Sequence, residues 1–420
     1  MQPVLHYRNH ELYMENVSLQ ALTEGNATPF YIYSRRDIVD NCKAVMNAAR
    51  GLNVLPCYAL KANYNPAILK IIKDMGFGAD VVSGGELYFA LKAGFDKDKI
   101  VFAGVGKTAE EIEYAIQIGI HSLNVESEEE LKLTGEIAEQ LQSKPDIALR
   151  VNPNIDAKTH KYISTGLYEN KFGIMPDQAV SLYQFAVKHP WLNPVGIHVH
   201  IGSQIKELSP FTDTIAFLKN FKQKLADNEI PITQLDLGGG IGINYDKSLH
   251  NLQQPSTYID TILPQYLQGL QTLNSKLILE LGRSIVGSAG LLITKIIYRK
   301  KTPSRTFLIT DAAMNNLIRP SLYNAHHEIY PLTEPNGEWE TVDVVGPVCE
   351  SSDYFAKNRN LPQLEGGQII ALAAAGAYGQ ALSSNYNLRP RIAEYLVNND
   401  TVNTIAEAQS IEDIANQYKW

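Results

Sequence analysis

The 420-residue chain has few cysteines, no long apolar run and no excess of positive charge. Its three cysteines, Cys42, Cys57 and Cys349, form no CxxC pair, which argues against a disulfide framework or a cysteine zinc site. Lys and Arg total 37 against 45 Asp and Glu, and the net charge of −8 disfavours nucleic acid or an anionic membrane as the main partner. No apolar segment approaches the roughly 18–20 residues of a membrane span.

Residues 1–16 are polar and interrupted by charges, without the apolar core of a secretory signal. With the sparse cysteines, this favours a reducing, cytoplasmic setting. Hydrophobic residues make up 45% of the chain, enough for a sizeable core, and the length predicts two or three domains.

Between residues 27 and 283, short apolar runs alternate with helical patterns, which predicts parallel βαβ units. Eight such units over about 250 residues favour a β/α (TIM-type) barrel, with a doubly wound open sheet as the competing layout. The predicted strands are Leu55–Leu60, Ala79–Val82, Ile100–Ala103, Ser122–Val125, Ile147–Val151, Val195–Val199, Gln234–Leu237 and Leu277–Leu279.

After Arg283 the alternation with long helices stops, and the pattern predicts a second, mainly β domain. We expect residues 27–283 to form the barrel and residues 1–26 plus 284–420 to form the β-rich domain. The strands predicted there are Gly287–Tyr298, Arg305–Thr310, Thr341–Val345 and Gln368–Leu372.

Reactive side chains stand at the ends of several predicted barrel strands. Lys61, Arg150, His200 and Glu280 each follow an apolar run, and Gly238-Gly-Gly240 follows the seventh strand. In a β/α barrel these positions meet at the mouth that carries the active site, where the loops after strands seven and eight commonly bind phosphate. Glycines let the backbone approach an anion, and Gly282-Arg283-Ser284 follows the eighth strand.

Lys61, Glu280 and the glycine-rich turns match the three anchors of pyridoxal phosphate (PLP). An amine forms an imine with the cofactor, N–H groups hold its phosphate, and a carboxylate pairs with its pyridine nitrogen. His198 and His200 also allow a metal-dependent barrel hydrolase, although no further histidine stands at another strand end. Because these further histidines are lacking, we prefer PLP binding and expect no metal. His200 is then expected to stack on the cofactor ring, and His198 to have a structural role.

One glycine segment imitates a nucleotide-binding loop. Gly104-Val-Gly-Lys-Thr108 resembles the end of a P-loop, but that motif requires glycine at position 101, where the chain has Val101. We therefore expect Lys107 to belong to a loop that enters a helix, with Thr108 as its N-cap.

Several segments resemble the fold-type III PLP-dependent decarboxylases, and among these the diaminopimelate decarboxylase family. They cover nearly the whole chain: Tyr58-Ala-Leu-Lys61-Ala-Asn63, Asp80-Val-Val-Ser-Gly-Gly-Glu86, Ser164–Gly173, His198-Val-His-Ile-Gly-Ser-Gln204, Gly238-Gly-Gly240, Glu280-Leu-Gly-Arg283, Met314–Pro320, Cys349-Glu-Ser-Ser-Asp353 and Gly376-Ala-Tyr-Gly379.

The resemblance implies decarboxylation of meso-2,6-diaminopimelate to L-lysine and CO2, in a homodimer whose subunits share active sites. Lys61 would hold PLP, His200 would stack on it, and Cys349, from the neighbouring subunit, would protonate the product. The other implied roles fall into two groups: cofactor contacts at Ser203, Gly239, Glu280, Leu281, Gly282, Arg283 and Tyr378, and substrate contacts at Arg283, Arg319, Tyr323, Glu350 and Tyr378.

The chain departs from the family at one position, since the usual Glu-Pro-Gly-Arg turn carries Leu281 in place of proline. Proline would fix φ, so we expect a looser turn and a slight effect on cofactor affinity. The alternatives are a decarboxylase of another basic amino acid or a carboxylated polyamine, a PLP racemase, which the carboxylate Glu280 disfavours, and a non-catalytic regulatory homologue. We expect residues 154–168 to close over the substrate.

Overall fold

The computed structural model describes residues 3–156, 171–246, 256–334 and 337–420. It divides into two compact units. One comprises Asn41–Ile243 and Thr257–Ile285, and the other comprises Met1–Asp40, Asn244–Ser256 and Val286–Trp420. Most of the segment expected to close over the substrate, residues 157–168 of 154–168, and most of the Ser164–Gly173 motif lie outside the described residues.

The described elements alternate strand and helix in the middle of the chain and are mainly strands at both ends. The strands are β1 Leu5–Arg8, β2 Glu11–Met14, β3 Val17–Ser18, β4 Phe30–Ser34, β5 Val54–Ala59, β6 Gly78–Val81, β7 Ile100–Phe102, β8 Ser122–Val125, β9 Asp146–Arg150, β10 Asn193–His198, β11 Gln234–Asp236, β12 Lys276–Leu281, β13 Gly290–Lys301, β14 Thr306–Thr310, β15 Ile329–Pro331, β16 Trp339–Val345, β17 Tyr354–Pro362, β18 Ile369–Leu372, β19 Ala393–Asn398 and β20 Thr401–Ala406. The helices are α1 Leu19–Gly25, α2 Arg35–Ala48, α3 Pro66–Asp74, α4 Gly84–Lys92, α5 Ala109–Ile118, α6 Glu128–Gln140, α7 Pro176–Lys188, α8 Ser209–Ala226, α9 Ile259–Leu270, α10 Arg283–Val286, α11 Arg319–Tyr323 and α12 Ile411–Ala415.

Strands β5 to β12 close into a parallel barrel, which confirms the TIM-type fold and rules out the open sheet. Its order is β10-β11-β12-β5-β6-β7-β8-β9, and the ring closes where β9 pairs with β10. All eight predicted strands are present with ends shifted by at most a few residues.

Alternate residues of each strand point into the barrel, and these inward-facing side chains form layers. Leu55, Cys57, Val101 and Ile278 form a buried apolar cluster. Glu280 stands two residues beyond Ile278 on the same face of β12. The apolar layer is therefore followed by a polar layer toward the carboxyl ends of the strands. This change of polarity along each strand places the chemistry at one mouth of the barrel.

The second unit is mainly β, as expected. Its principal sheet runs β17-β16-β14-β13-β4-β19-β20, with β18 pairing with β13 and β15, while β1 to β3 form a small separate sheet. Strand β4 pairs antiparallel with β13 and parallel with β19. Phe30–Ser34 therefore belongs to this unit, whereas the predicted barrel range began at residue 27.

The core of the second unit is assembled from distant parts of the chain. Phe30 and Ile32 of β4 pack with Leu12 and with Leu291 and Ile293 of β13, all buried. In the described part of the chain, no helix combines the length and apolar character needed to cross a membrane.

The lysine of the P-loop-like segment is a structural residue of the barrel unit. Lys107 Nζ lies 2.7 Å from a carboxylate oxygen of Glu130 and donates to the carbonyl oxygens of Gly104 and Asn124, both at 2.8 Å. Thr108 caps α5 through a capping box with Glu111, which confirms the predicted N-cap. These contacts fix the β7–α5 loop against β8 and leave the lysine buried.

The buried pair predicts a marked loss of stability when one charge is removed. We expect Lys107→Ala to lower the free energy of unfolding by about 3–5 kcal/mol, because the Glu130 carboxylate is left buried without its cation. Urea unfolding followed by circular dichroism measures the change. The double variant Lys107→Met/Glu130→Gln removes both charges and is the control; if it is as unstable as Lys107→Ala, the uncompensated charge is not the cause.

Candidate active site

Five buried polar side chains line the carboxyl-end level of the barrel interior: Asp80, Asn124, His198, Asp236 and Glu280. His198 and Asp236 are the last residues of their strands, and the other three are the next to last residues of theirs. The sequence reasoning placed Glu280 at a strand end and His198 within a strand as a structural residue, but it missed Asp80, Asn124 and Asp236 as site residues. The available signal was a polar residue between two apolar residues near the carboxyl end of a buried strand.

Glu280 is held by two neighbours inside the barrel. Asn124 Nδ2 donates to its Oε1 at 3.1 Å and to Oδ2 of Asp236 at 2.8 Å. His198 Nε2 lies 3.4 Å from Oε2 of Glu280, a charge contact without hydrogen-bond geometry. Burial opposes ionisation of Glu280, but the positive charges of His198 and Lys61 hold its pKa below the ordinary value.

The pKa values of the two other carboxyl groups, Asp236 and Asp80, are shifted upward. Burial, followed by repulsion from Glu280, raises the pKa of Asp236 to about 7 and raises the pKa of Asp80 well above its ordinary value. Since like charges at close range disfavour joint ionisation, the opposite pKa shifts favour Glu280 as the ionised carboxyl group. Burial lowers the pKa of His198, but Glu280 and Asp236 outweigh it and raise the pKa.

Lys61 follows β5 in a single 3₁₀ turn, Leu60–Ala62, which turns its side chain toward the neighbouring strand. Its Nζ lies 3.2 Å from Oδ2 of Asp80, at the end of β6. The amine is thus positioned by a buried carboxyl group and stands at the same level of the barrel as Glu280. Its side chain is 37% exposed, so a ligand at the barrel mouth can reach it.

His200 is oriented by the glycine-rich loop. The Gly239 N–H donates to Nδ1 of His200 at 3.1 Å, so this ring nitrogen is an acceptor and the ring is neutral. Burial and the nearby Arg150 hold the pKa of His200 well below its ordinary value, which agrees with that assignment. Gly239 has no room for a side chain, since an added Cβ would lie 2.2 Å from the Glu280 carbonyl oxygen.

The turn after β12 gathers groups that suit an anion. Arg283, which is buried, donates from Nη2 to Oγ of Ser203 at 2.9 Å and from Nε at 3.3 Å. The strand ladder continues through Leu281, which pairs with Tyr58, and Gly282 packs against Ala62 with no space for a Cβ. A guanidinium and a hydroxyl side by side form a site for a phosphate or carboxylate.

Arg150 ends β9 but is not available as a free anchor. Its Nη1 lies 2.8 Å from Oε1 of Glu126 in a buried ion pair, and its guanidinium stacks on the Phe172 ring at 4.7 Å. Glu126 also accepts the N–H of Gly104 and of Gly173. Arg150 therefore braces the neighbouring loops and contributes positive charge near His200.

The structure separates the two histidines of the His-Val-His segment. His198 joins Asp236 and Glu280, and one ligand atom from each of the three lies within 4.8 Å of the others. His200 instead accepts from Gly239, so the segment does not present the pair of histidines that the metal-hydrolase alternative requires. This arrangement agrees with a structural His198 and a separately oriented His200.

The remaining sequence-predicted residues belong to the second unit. Arg319, the first residue of α11, is buried, Tyr323 ends the same helix half-buried, and Tyr378 is half-buried with a positive φ of 57°. Cys349 and Glu350 are exposed, and the Cys349 N–H donates to the Asn387 side chain at 3.0 Å. The barrel unit thus holds the residues predicted for the cofactor's ring and phosphate, except Tyr378.

Buried polar atoms without a hydrogen-bond partner at the carboxyl ends of the barrel strands agree with a bound ligand there. Among the described residues, Oγ of Ser284, Oδ1 of Asp80 and Oδ1 of Asn124 are buried without a hydrogen-bond partner. Such atoms are costly unless a ligand or water satisfies them. An amine at Lys61, an ionised carboxylate at Glu280 and an anion site at Ser203 and Arg283 supply the donor set that a pyridinium phosphate aldehyde needs.

Comparisons with known proteins agree with this chemistry. The family model "Pyridoxal-dependent decarboxylase, pyridoxal binding domain" matches residues 35–287. Diaminopimelate decarboxylase of Aquifex aeolicus is 43% identical over 412 residues, covering 98% of this chain and 96% of its own. That of Helicobacter pylori strain J99 is 45% identical over 401 residues, covering 94% and 96%.

Solved structures give the same result. Diaminopimelate decarboxylase of Helicobacter pylori complexed with L-lysine superposes with a TM-score of 0.89 at 42% identity, over 95% of this chain and 98% of that one. The enzyme of M. jannaschii in co-complex with L-lysine gives 0.91 at 36% identity, over 99% and 97%. The chain belongs to the diaminopimelate decarboxylase family of pyridoxal-dependent decarboxylases.

Proposed function

We propose that the protein removes CO2 from meso-2,6-diaminopimelate to give L-lysine, with PLP as cofactor. The observation that carries the proposal is that one barrel mouth holds both the Lys61 amine, in contact with Asp80, and the buried Glu280, whose pKa is lowered by nearby positive charge. Relatives named diaminopimelate decarboxylase at 43–45% identity over nearly the whole chain support the substrate. Bound PLP supplies an electron sink for the electron pair left at Cα when CO2 departs.

The barrel residues would divide the work of holding the cofactor. Lys61 is the amine that attaches it, and Asp80 positions that amine. Glu280, because it is ionised, would hold a proton at the pyridine nitrogen, while the neutral ring of His200, fixed by Gly239, would lie on the face of the pyridine ring. Ser203 and the backbone of the turn from Glu280 to Arg283 would bind the phosphate, with Gly239, Leu281 and Gly282 shaping the loops. The family resemblance adds Tyr378 to the cofactor contacts.

We assign substrate recognition to Arg283, Arg319, Tyr323 and Tyr378, as the family resemblance implies. The guanidinium of Arg319 would bind the distal carboxylate in bidentate fashion, with Tyr323 and Tyr378 beside it. Glu350 would meet the distal ammonium group. Cys349 would donate the proton that replaces CO2 at Cα, a role its exposed thiol permits.

We also propose a cytoplasmic homodimer with two shared active sites. The exposed Cys349 and Glu350 would act in the partner's site, as the family resemblance implies. The sparse cysteines support the compartment. Cell fractionation that recovered the protein with membranes or outside the cell would contradict the location.

Replacing Lys61 tests the chemistry. We expect Lys61→Ala to reduce CO2 release from diaminopimelate by about a thousandfold or more, since the attaching amine is lost, and to remove the visible absorbance of the lysine-bound cofactor. Lys219→Ala, at an exposed lysine of α8, is the control and should keep both. A Lys61→Ala variant with a near-normal rate would contradict the assignment.

Replacing Arg319 tests the substrate. We expect Arg319→Ala to raise KM for diaminopimelate by about tenfold to a hundredfold and to reduce the discrimination between diaminopimelate and lysine, because a charged hydrogen-bond partner of the distal carboxylate is lost. Steady-state CO2 release measures both. Arg391→Ala, at an exposed arginine of the same unit, is the control, and unchanged discrimination in Arg319→Ala would count against the role.

Mixing two inactive variants tests the shared site. Lys61→Ala and Cys349→Ala subunits, unfolded and refolded together in equal amounts, should regain about a quarter of the wild-type rate, because half of the dimers are mixed and each has one intact site. Each variant refolded alone is the control. If mixing restores no activity although light scattering shows dimers, Lys61 and Cys349 act in the same subunit.

A further inference from the structure

Arg319 is held from two sides by neutral rings of its own unit. Its Nη1 donates to Nε2 of His327 at 2.9 Å, and its guanidinium carbon lies 4.8 Å from the centre of the Tyr245 ring. The His327 and Tyr245 rings meet edge to face, with centroids 5.4 Å apart. The three side chains therefore form one packed group, in which each ring restrains the guanidinium.

The tautomer of His327 follows from its two hydrogen bonds. Nδ1 lies 2.7 Å from the carbonyl oxygen of Ala373, which can only accept, so Nδ1 carries the proton. Nε2 faces an Arg319 N–H, which can only donate, so Nε2 presents its lone pair. His327 is thus a neutral ring with a donor on one side and an acceptor on the other.

The backbone around His327 is fixed as well. Its carbonyl oxygen accepts from Arg359 at 3.1 Å, and Arg359 forms an ion pair with Glu328 at 2.6 Å. The Ala373 N–H donates to the Glu328 carbonyl oxygen at 2.8 Å. Ala373 therefore ties this segment at two points, and His327 is completely buried. A ring so restrained defines the direction of the group that it binds.

We infer that His327, with Tyr245, is a positioning residue that aims Arg319 at the distal carboxylate of the substrate. The inference rests on the proposed function, in which Arg319 binds that carboxylate. A carboxylate at position 327 would orient Arg319 equally well but would neutralise it and compete with the substrate. A neutral imidazole orients the guanidinium without contributing negative charge, so the attraction for an incoming carboxylate is retained.

Two amide variants separate the two functions of the ring. Asn at position 327 can replace the Nδ1 donor to Ala373 but offers no acceptor at the Nε2 position. Gln can place its carbonyl oxygen near the Nε2 position and so still accept from Arg319. We expect His327→Asn to raise KM for diaminopimelate about tenfold, the loss of one hydrogen bond to a charged group, with kcat within about twofold of wild type. His327→Gln should recover most of this loss.

Two inhibitors identify the substrate group concerned. L-Lysine keeps the carboxylate that is not lost in the reaction, whereas cadaverine lacks it. In His327→Asn we expect Ki of lysine to rise by the same factor as KM and Ki of cadaverine to stay unchanged. Cofactor absorbance and melting temperature, compared with wild type, control for general damage. An unchanged KM, an equal rise of both Ki values, or equal losses in the Asn and Gln variants would overturn the inference.

A second pair of variants carries the test if His327→Asn does not fold. Tyr245→Leu removes the ring from the guanidinium, whereas Tyr245→Phe keeps its face. We expect the Leu variant to raise KM and Ki of lysine severalfold and the Phe variant to change neither; unchanged values in both would overturn the inference. If the wild-type protein itself releases no CO2 from diaminopimelate, the proposed function fails instead.

Discussion

The barrel site depends on keeping one carboxylate ionised among several that are buried. Asp80, Asp236 and Glu280 share the same low-dielectric interior, where joint ionisation is unfavourable. Asn124 donates hydrogen bonds to Asp236 and Glu280, and the His198 ring lies in charge contact with the Glu280 carboxylate. The strand register that brings these neighbours together therefore decides which carboxyl group has a lowered pKa. The raised pKa values of Asp80 and Asp236 follow from the same register.

The glycine-rich loop depends on the same register. Gly238 has a φ of 60° and no space for a Cβ beside His200, while Gly239 lies against the Glu280 carbonyl and uses its N–H to hold His200. Glycine is required here for conformation and for close packing. Orientation of the His200 ring thus depends on close packing between the end of β12 and the loop after β11.

Sequence reasoning located the residues that stand at strand ends, because an apolar run followed by a reactive side chain can be recognised locally. Lys61, His200 and Glu280 were identified in this way, and the resemblance added Arg319. Asp80, Asn124 and Asp236 were missed because they lie within buried strands, where only closure of the barrel shows that they face one another. Strand β4 was placed in the barrel range because its partners β13 and β19 are more than 250 residues away. His327 shares this limitation, since Ala373 and Tyr245 adjoin it only in the folded unit.

The two charged groups most important to the proposed reaction are held by opposite means, and the difference follows from their ligands. In the proposed reaction Glu280 would pair with a protonated nitrogen, which requires a negative charge at a buried position. The positive charges of His198 and Lys61 oppose the effect of burial on its pKa. Arg319 needs no such help, because a guanidinium stays protonated in proteins. What Arg319 requires is direction, and the neutral rings of His327 and Tyr245 supply it without a countercharge. The neighbours of Glu280 thus control its ionisation, whereas the neighbours of Arg319 control its orientation.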